Sequence, residues 1–164
     1  MAKRPRPADH ATALADRITR RDATVGVIGL GYVGLPLVKV FLARGFRVLG
    51  FDTDAAKVAA LKAGRSYIRH IPATDVAAMN DTGRFDATAD MVRLGEPDAI
   101  LICVPTPLTR HREPDMTYVV ATAEAIAARL RAGQLVVLES STYPGTTVEV
   151  VKPILERGGL RSGR

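Results

Sequence analysis

Val25-Gly26-Val27-Ile28-Gly29-Leu30-Gly31-Tyr32-Val33-Gly34 runs from an apolar segment into glycines spaced G-x-G-x-x-G and out into a second apolar stretch. A strand, a tight turn and a helix start, in that order, build an anion site. The first N–H groups of a helix have no partner within it, and the macrodipole places partial positive charge there. A diphosphate reaches those donors only where no side chain shields the backbone. Gly29 supplies the tight turn, Gly31 the close approach and Gly34 the close packing of helix on strand.

Glycines at this spacing also mark ordinary βα turns, so the context decides. Phe46-Arg47-Val48-Leu49-Gly50-Phe51 reads as a second strand, and Asp52 stands at its end, 18 residues past Gly34. An acidic residue there accepts hydrogen bonds from adenosine ribose hydroxyls. Thr53 and Asp54 follow, with no arginine beside Asp52 to pair with a 2′-phosphate, which favours NAD over NADP. Asp54 is better placed than Asp52 to cap the next helix.

The pattern then alternates. Strands are expected at 24–29, 46–51, 84–89, 99–104 and 135–139, the third weakly apolar and so nearer a sheet edge. Helices are expected at 33–44, 55–63, 72–82 (capped by Thr74), 116–131 (capped by Asp115) and 146–157, the last capped by Thr146 or Thr147. Asp9 to Arg21 fits an additional amphipathic helix before the first strand, with Ala11, Leu14, Ala15 and Ile18 on one face. Residues 1–22 thus read as a tail and short helix, and 23–164 as one α/β domain: a Rossmann-type, doubly wound parallel sheet of order 3-2-1-4-5. The Arg/Pro-rich residues 1–8 are expected to be disordered.

Composition excludes several classes. The 164 residues are 47% hydrophobic and 24% charged, and no apolar run approaches the ~18 residues that cross a membrane. The basic start, Met1 to Pro7, lacks the apolar core of a secretory signal. A single cysteine rules out an intramolecular disulfide framework and fits a reducing cytoplasm. The net charge of +6 is spread over both ends of the chain without an aromatic-studded basic stripe, so no nucleic-acid partner is expected. Attraction of a polyanionic nucleotide is a sufficient use for it. His10, His70 and His111 have no metal-ligand spacing, so no metal is expected.

Ligands of open α/β sheets bind beyond the carboxyl ends of the strands, where the strand order reverses. Strand four leads into Val104-Pro105-Thr106-Pro107 and then the charged segment 108–114, a substrate-contact candidate or a plain surface loop. Strand five leads into Glu139-Ser140-Ser141-Thr142-Tyr143-Pro144-Gly145-Thr146-Thr147. Its three hydroxyls in a row suit a nicotinamide ribose or the orientation of a water or substrate group, which places Ser141 and Thr142 among the candidates. Cys103, inside an apolar strand, reads as a small buried hydrophobe.

Gly29 to Pro36, Cys103 to Pro107 and Glu139 to Thr147 together resemble the N-terminal domain of UDP-glucose/GDP-mannose dehydrogenases, over about residues 24–157. His111-Arg112-Glu113-Pro114-Asp115, with Ser66-Tyr67-Ile68, is similar to the branch that oxidises UDP-N-acetylglucosamine. The resemblance implies oxidation of C6 of a nucleotide sugar from alcohol to carboxylate with two NAD. It implies NAD contacts at Gly29, Gly31, Tyr32, Val33, Gly34 and Asp52, with Lys57 near the adenosine ribose and Val104, Pro105 and Thr106 lining the cleft. Thr142 matches a position that orients a water or substrate oxygen. The family's thiol nucleophile, lysine and asparagine lie on a later sugar-binding domain, and its NAD domain has a sixth strand. Neither is found in these residues, and Cys103 does not match the nucleophile motif. Covalent catalysis needs an activated thiolate, so the expectation is a chain that binds NAD without completing the reaction. It would meet the nucleotide sugar through the missing domain. The open end past strand five would favour a homo-oligomer. A non-catalytic NAD-binding module, or a UDP-glucose or GDP-mannose dehydrogenase fragment, remain alternatives.

Overall fold

A computed structural model describes residues 9–110 and 112–163. The tail 1–8 and His111 lie outside them. Five strands, β1 (Thr24–Ile28), β2 (Arg47–Phe51), β3 (Phe85–Thr88), β4 (Ala99–Ile102) and β5 (Leu135–Leu138), form one parallel sheet of order β3-β2-β1-β4-β5. Val27 sits between Gly50 of β2 and Leu101 of β4 in the register. The helices are α1 (His10–Arg20), α2 (Gly34–Ala43), α3 (Ala55–Lys62), α4 (Ala73–Asp81), α5 (Thr117–Ala127) and α6 (Lys152–Leu155).

Both sheet faces are covered, which is why the central strands are apolar at nearly every position. Successive side chains point to opposite faces. Val25, Val27, Val48 and Leu101 pack with Leu35, Val38, Leu61 and Val76 of α2, α3 and α4. Ile28, Leu49, Phe51, Ile100 and Ile102 pack with Val119, Ala123 and Ile126 of α5 and with Ile154 of α6. Val119 and Ile126 are fully buried and contribute about 3–6 kcal/mol together. By contrast, no residue of α1 is buried. Its N-terminus is capped as expected, with Asp9 accepting from the Thr12 amide at 3.1 Å. Arg17 ties α1 to the buried Asp98 just before β4.

Several local expectations need correction. Pro72, not Thr74, occupies the cap position of α4, because the helix begins at Ala73, two residues earlier than a Thr74 cap requires. Met116 holds the cap position of α5, although the Asp115 carboxylate still accepts from the Thr117 amide at 2.9 Å. That helix stops at Ala127, short of the expected 131. β4 and β5 end at Ile102 and Leu138, before the expected 104 and 139. Thr146 stands at the cap position of the last helical stretch, but its hydroxyl makes no capping bond and donates back to the Tyr143 carbonyl at 2.7 Å. The stretch opens instead as a π-type turn over Thr147–Val151 before α6. Leu108 and Pro114 form an isolated antiparallel bridge. A 3₁₀ turn, Met91–Gly95, was absent from the sequence reading.

Candidate functional site

The glycine turn is built from three strand ends. The Gly29 amide donates to the Phe51 carbonyl of β2 at 2.8 Å, and the Cys103 amide after β4 donates to the Ile28 carbonyl at 2.8 Å. Gly29 adopts φ +92°, and a Cβ there would stand 2.6 Å from the Cys103 carbonyl oxygen. Gly34 opens α2, where a Cβ would lie 1.9 Å from the Gly29 carbonyl oxygen. Around Gly31 no atom other than those of its chain neighbours lies within 4 Å of a Cβ position. That space lies at a helix start with no side-chain cap, which is a fit for a diphosphate.

Asp52 is 8% exposed. One carboxylate oxygen accepts from the Leu30 amide and the other from the Asp54 amide, both at 3.0 Å. Lys57 Nζ lies 3.6 Å from the first oxygen. A carboxylate has about four acceptor sites, so two amides and an ammonium leave capacity for a ribose hydroxyl. Asp54 caps α3 through the Ala56 and Lys57 amides, as expected.

These groups border a cleft of about 1050 Å³, the upper range for a ligand site. Gly29, Gly31, Tyr32, Val33, Asp52 and Lys57 line one side, and Val104, Pro105, Thr106 and Ser141 the other. Gly34 and Thr142 do not line it. For Gly34 this follows from its packing against Gly29. Thr142 sits half-buried on the loop after β5. The two loops are stitched together: Ser140 Oγ donates to the Val104 carbonyl and Thr106 Oγ1 to the Ser141 carbonyl, each at 2.7 Å.

The sequence reading missed Met91 and Leu94 of the 3₁₀ turn, one face of α5, and Tyr67. Tyr118, Ala121, Thr122 and Ala125 of α5 face the cleft. Their i, i+3, i+4, i+7 spacing is a second helical stripe beside the buried one, so this signal was present. Tyr67, from the loop after α3, also lines the cleft and donates its hydroxyl to the Leu30 carbonyl at 2.6 Å. Burial, then the Asp52 and Asp54 carboxylates, push its phenol above the usual range, so it stays protonated. Nothing local to residue 67 signals this contact.

Cys103 borders the cleft, but burial and then the Glu139 carboxylate push its thiol up to about 11. Alkylation at pH 8 should therefore run about a hundredfold slower than for an exposed thiol, since the thiolate reacts and a free cysteine titrates near ~8.5. The rate of iodoacetamide labelling measures this. Among the described residues, no cluster of three or more His, Cys, Asp or Glu is placed to hold a metal ion. No described helix is long and apolar enough to cross a membrane.

The sequence profile of the UDP-glucose/GDP-mannose dehydrogenase family, NAD binding domain, matches residues 23–162. The chain belongs to this family. The NAD-binding domain is 37% identical over 142 residues to UDP-N-acetyl-D-glucosamine 6-dehydrogenase of Pseudomonas aeruginosa, covering 86% of the chain and 33% of that protein. It is 40% identical over 138 residues to UDP-N-acetyl-D-mannosamine dehydrogenase of Escherichia coli (strain K12), covering 82% and 31%. Among solved structures, a ternary complex of GDP-mannose dehydrogenase from P. aeruginosa superposes with TM-score 0.79 at 29% identity, over 84% of the chain and 33% of that structure. NDP-N-acetyl-D-galactosaminuronic acid dehydrogenase from Methanosarcina mazei gives 0.80 at 31%, over 92% and 34%. The NAD-binding domain spans about a third of the length of these relatives.

Proposed function

We propose that this domain holds NAD for the oxidation of C6 of a UDP-N-acetylhexosamine, UDP-N-acetylglucosamine being the first choice. NAD, when bound, supplies the hydride acceptor. The observation that carries the reading is the junction of the open space at Gly31 with the Asp52–Lys57 pair in one cleft. Relatives acting on UDP-N-acetylglucosamine and UDP-N-acetylmannosamine support the substrate class.

In this reading the α2 start takes the pyrophosphate through the Tyr32 and Val33 backbone, and Asp52 takes the adenosine ribose. Val104, Pro105 and Thr106 wall the cleft, and Ser141 lies toward the nicotinamide, with Thr142 next to it outside the cleft wall. Calorimetric titration should show NAD bound more tightly than NADP, because a 2′-phosphate would meet the Asp52 carboxylate. Asp52→Ala should weaken NAD binding by about 1–3 kcal/mol, the loss of a charge-assisted hydrogen bond, and narrow the gap to NADP. An unchanged NAD affinity in that variant would remove the ribose assignment. Given NAD and UDP-N-acetylglucosamine, the 164-residue chain should form no NADH, since its single thiol is buried and protonated. Steady turnover would refute that part.

A further inference from the structure

We infer that Tyr67 is a positioning residue for the cofactor diphosphate, acting by fixing the orientation of the Leu30–Gly31 peptide. The inference rests on the NAD reading above and adds a residue that neither the glycine spacing nor the Asp52 position contains.

Leu30 is fully buried, so its amide and carbonyl each need a partner. The amide is held by Asp52 at 3.0 Å and the carbonyl by the Tyr67 hydroxyl at 2.6 Å. The first helical bonds start one residue later, with the Leu35 amide on the Gly31 carbonyl, so α2 leaves the Leu30 carbonyl to Tyr67. A trans peptide is planar with its C=O and N–H opposed. With the Leu30 carbonyl drawn to Tyr67, the Gly31 N–H points the other way, at a residue bordering the cleft with open space around it.

The loop that presents Tyr67 is itself fixed. Ile68 and Ile71, which follow Tyr67 in the chain, are buried in the core. Ser66 Oγ and the Ile68 backbone exchange hydrogen bonds at 3.1 Å. Farther along, His70 rests against the Tyr32 ring of the glycine turn at a centroid distance of 5.4 Å. The Tyr67 ring also lies under Lys57 Nζ, 5.9 Å from its centroid. One side chain thus touches both halves of the site, and the two contacts can be separated: phenylalanine keeps the ring beneath Lys57 and removes the hydroxyl from Leu30.

The test is Tyr67→Phe, titrated with NAD, ADP and adenosine and followed by amide NMR spectra of the chain. The expected result is about a tenfold rise in Kd for NAD and ADP, with adenosine, which has no phosphate, within about twofold of the parent. A purely structural role would weaken all three alike. That result, or no change for any ligand, would overturn the inference. Should the variant not fold, the unaltered chain decides: the Gly31 amide resonance should move with ADP and stay in place with adenosine. A Gly31 amide that ignores ADP overturns the proposal. Failure of the unaltered chain to bind NAD at all would instead remove the cofactor site itself.

Discussion

Replacing Gly34 with alanine should cost at least about 3 kcal/mol of stability, the upper end for forcing extra atoms into a packed interior, and should abolish NAD binding. The added Cβ would lie 1.9 Å from the Gly29 carbonyl oxygen and 3.1 Å from both the Gly29 carbonyl carbon and Val27 Cγ1. The nearest obstacle is backbone, not the tip of a flexible side chain. Gly29 cannot retreat, because its amide is bonded to Phe51 and its α-carbon faces the Cys103 carbonyl. The only relief is to lift α2 off the sheet, which pulls Leu35 and Val38 out of the core. Urea denaturation and NAD calorimetry check this together. A variant within about 1 kcal/mol of the parent, less than the cost of ordinary overpacking, would show that the turn yields freely.

Asp98→Ala should be the second most damaging change. The Asp98 carboxylate is buried, and it accepts from the Thr24 amide at 2.9 Å and from Arg131 at 2.8 Å, and from Arg17. Alanine leaves the Thr24 N–H and two guanidinium groups without this acceptor. A fully buried pair broken in this way costs about 3–5 kcal/mol. Both arginine side chains are about two-fifths exposed and can turn to water, so about 2–3 kcal/mol is expected. Burial pushes the Asp98 carboxyl up, but the Thr24 amide, Arg131 and Arg17 outweigh it and hold it below the usual value. A depressed native pKa contributes stability that is present above the ordinary aspartate range and lost as pH falls through the lower native value. Acid unfolding of the parent should therefore be steeper below about pH 4 than that of Asp98→Ala. Parallel acid limbs would contradict this.

The glycine turn was legible because each position is fixed by local sterics: a left-handed φ at Gly29, open space at Gly31 and backbone contact at Gly34. Asp52 was legible because its place at the end of β2 follows from strand length alone. The strand order followed from the alternation of strands and helices. Tyr67 was not legible, since its bond to Leu30 spans 37 residues and depends on how Ile68 and Ile71 seat the loop. The threonine caps failed for a related reason, while Asp9 and Asp54 cap as expected. Thr74, Thr146 and Thr147 have the right chemistry, but which residue stands at a helix start is set by packing, and a hydroxyl can as well donate backwards, as Thr146 does.

α1, with no buried residue and its tie to the sheet made through Arg17 and Asp98, stands apart from the other helices. Arg17 is about two-fifths exposed while Asp98 is buried, so salt screens this attraction through the arginine, less than it would a fully exposed pair, while apolar burial is not weakened. Raising salt from about 0.05 to 1 M, where the screening length falls to about 3 Å, should loosen α1 from the sheet before the core melts. Amide exchange would then report two regimes in one chain: a salt-sensitive N-terminal segment that opens on its own, and a sheet that exchanges only with global unfolding.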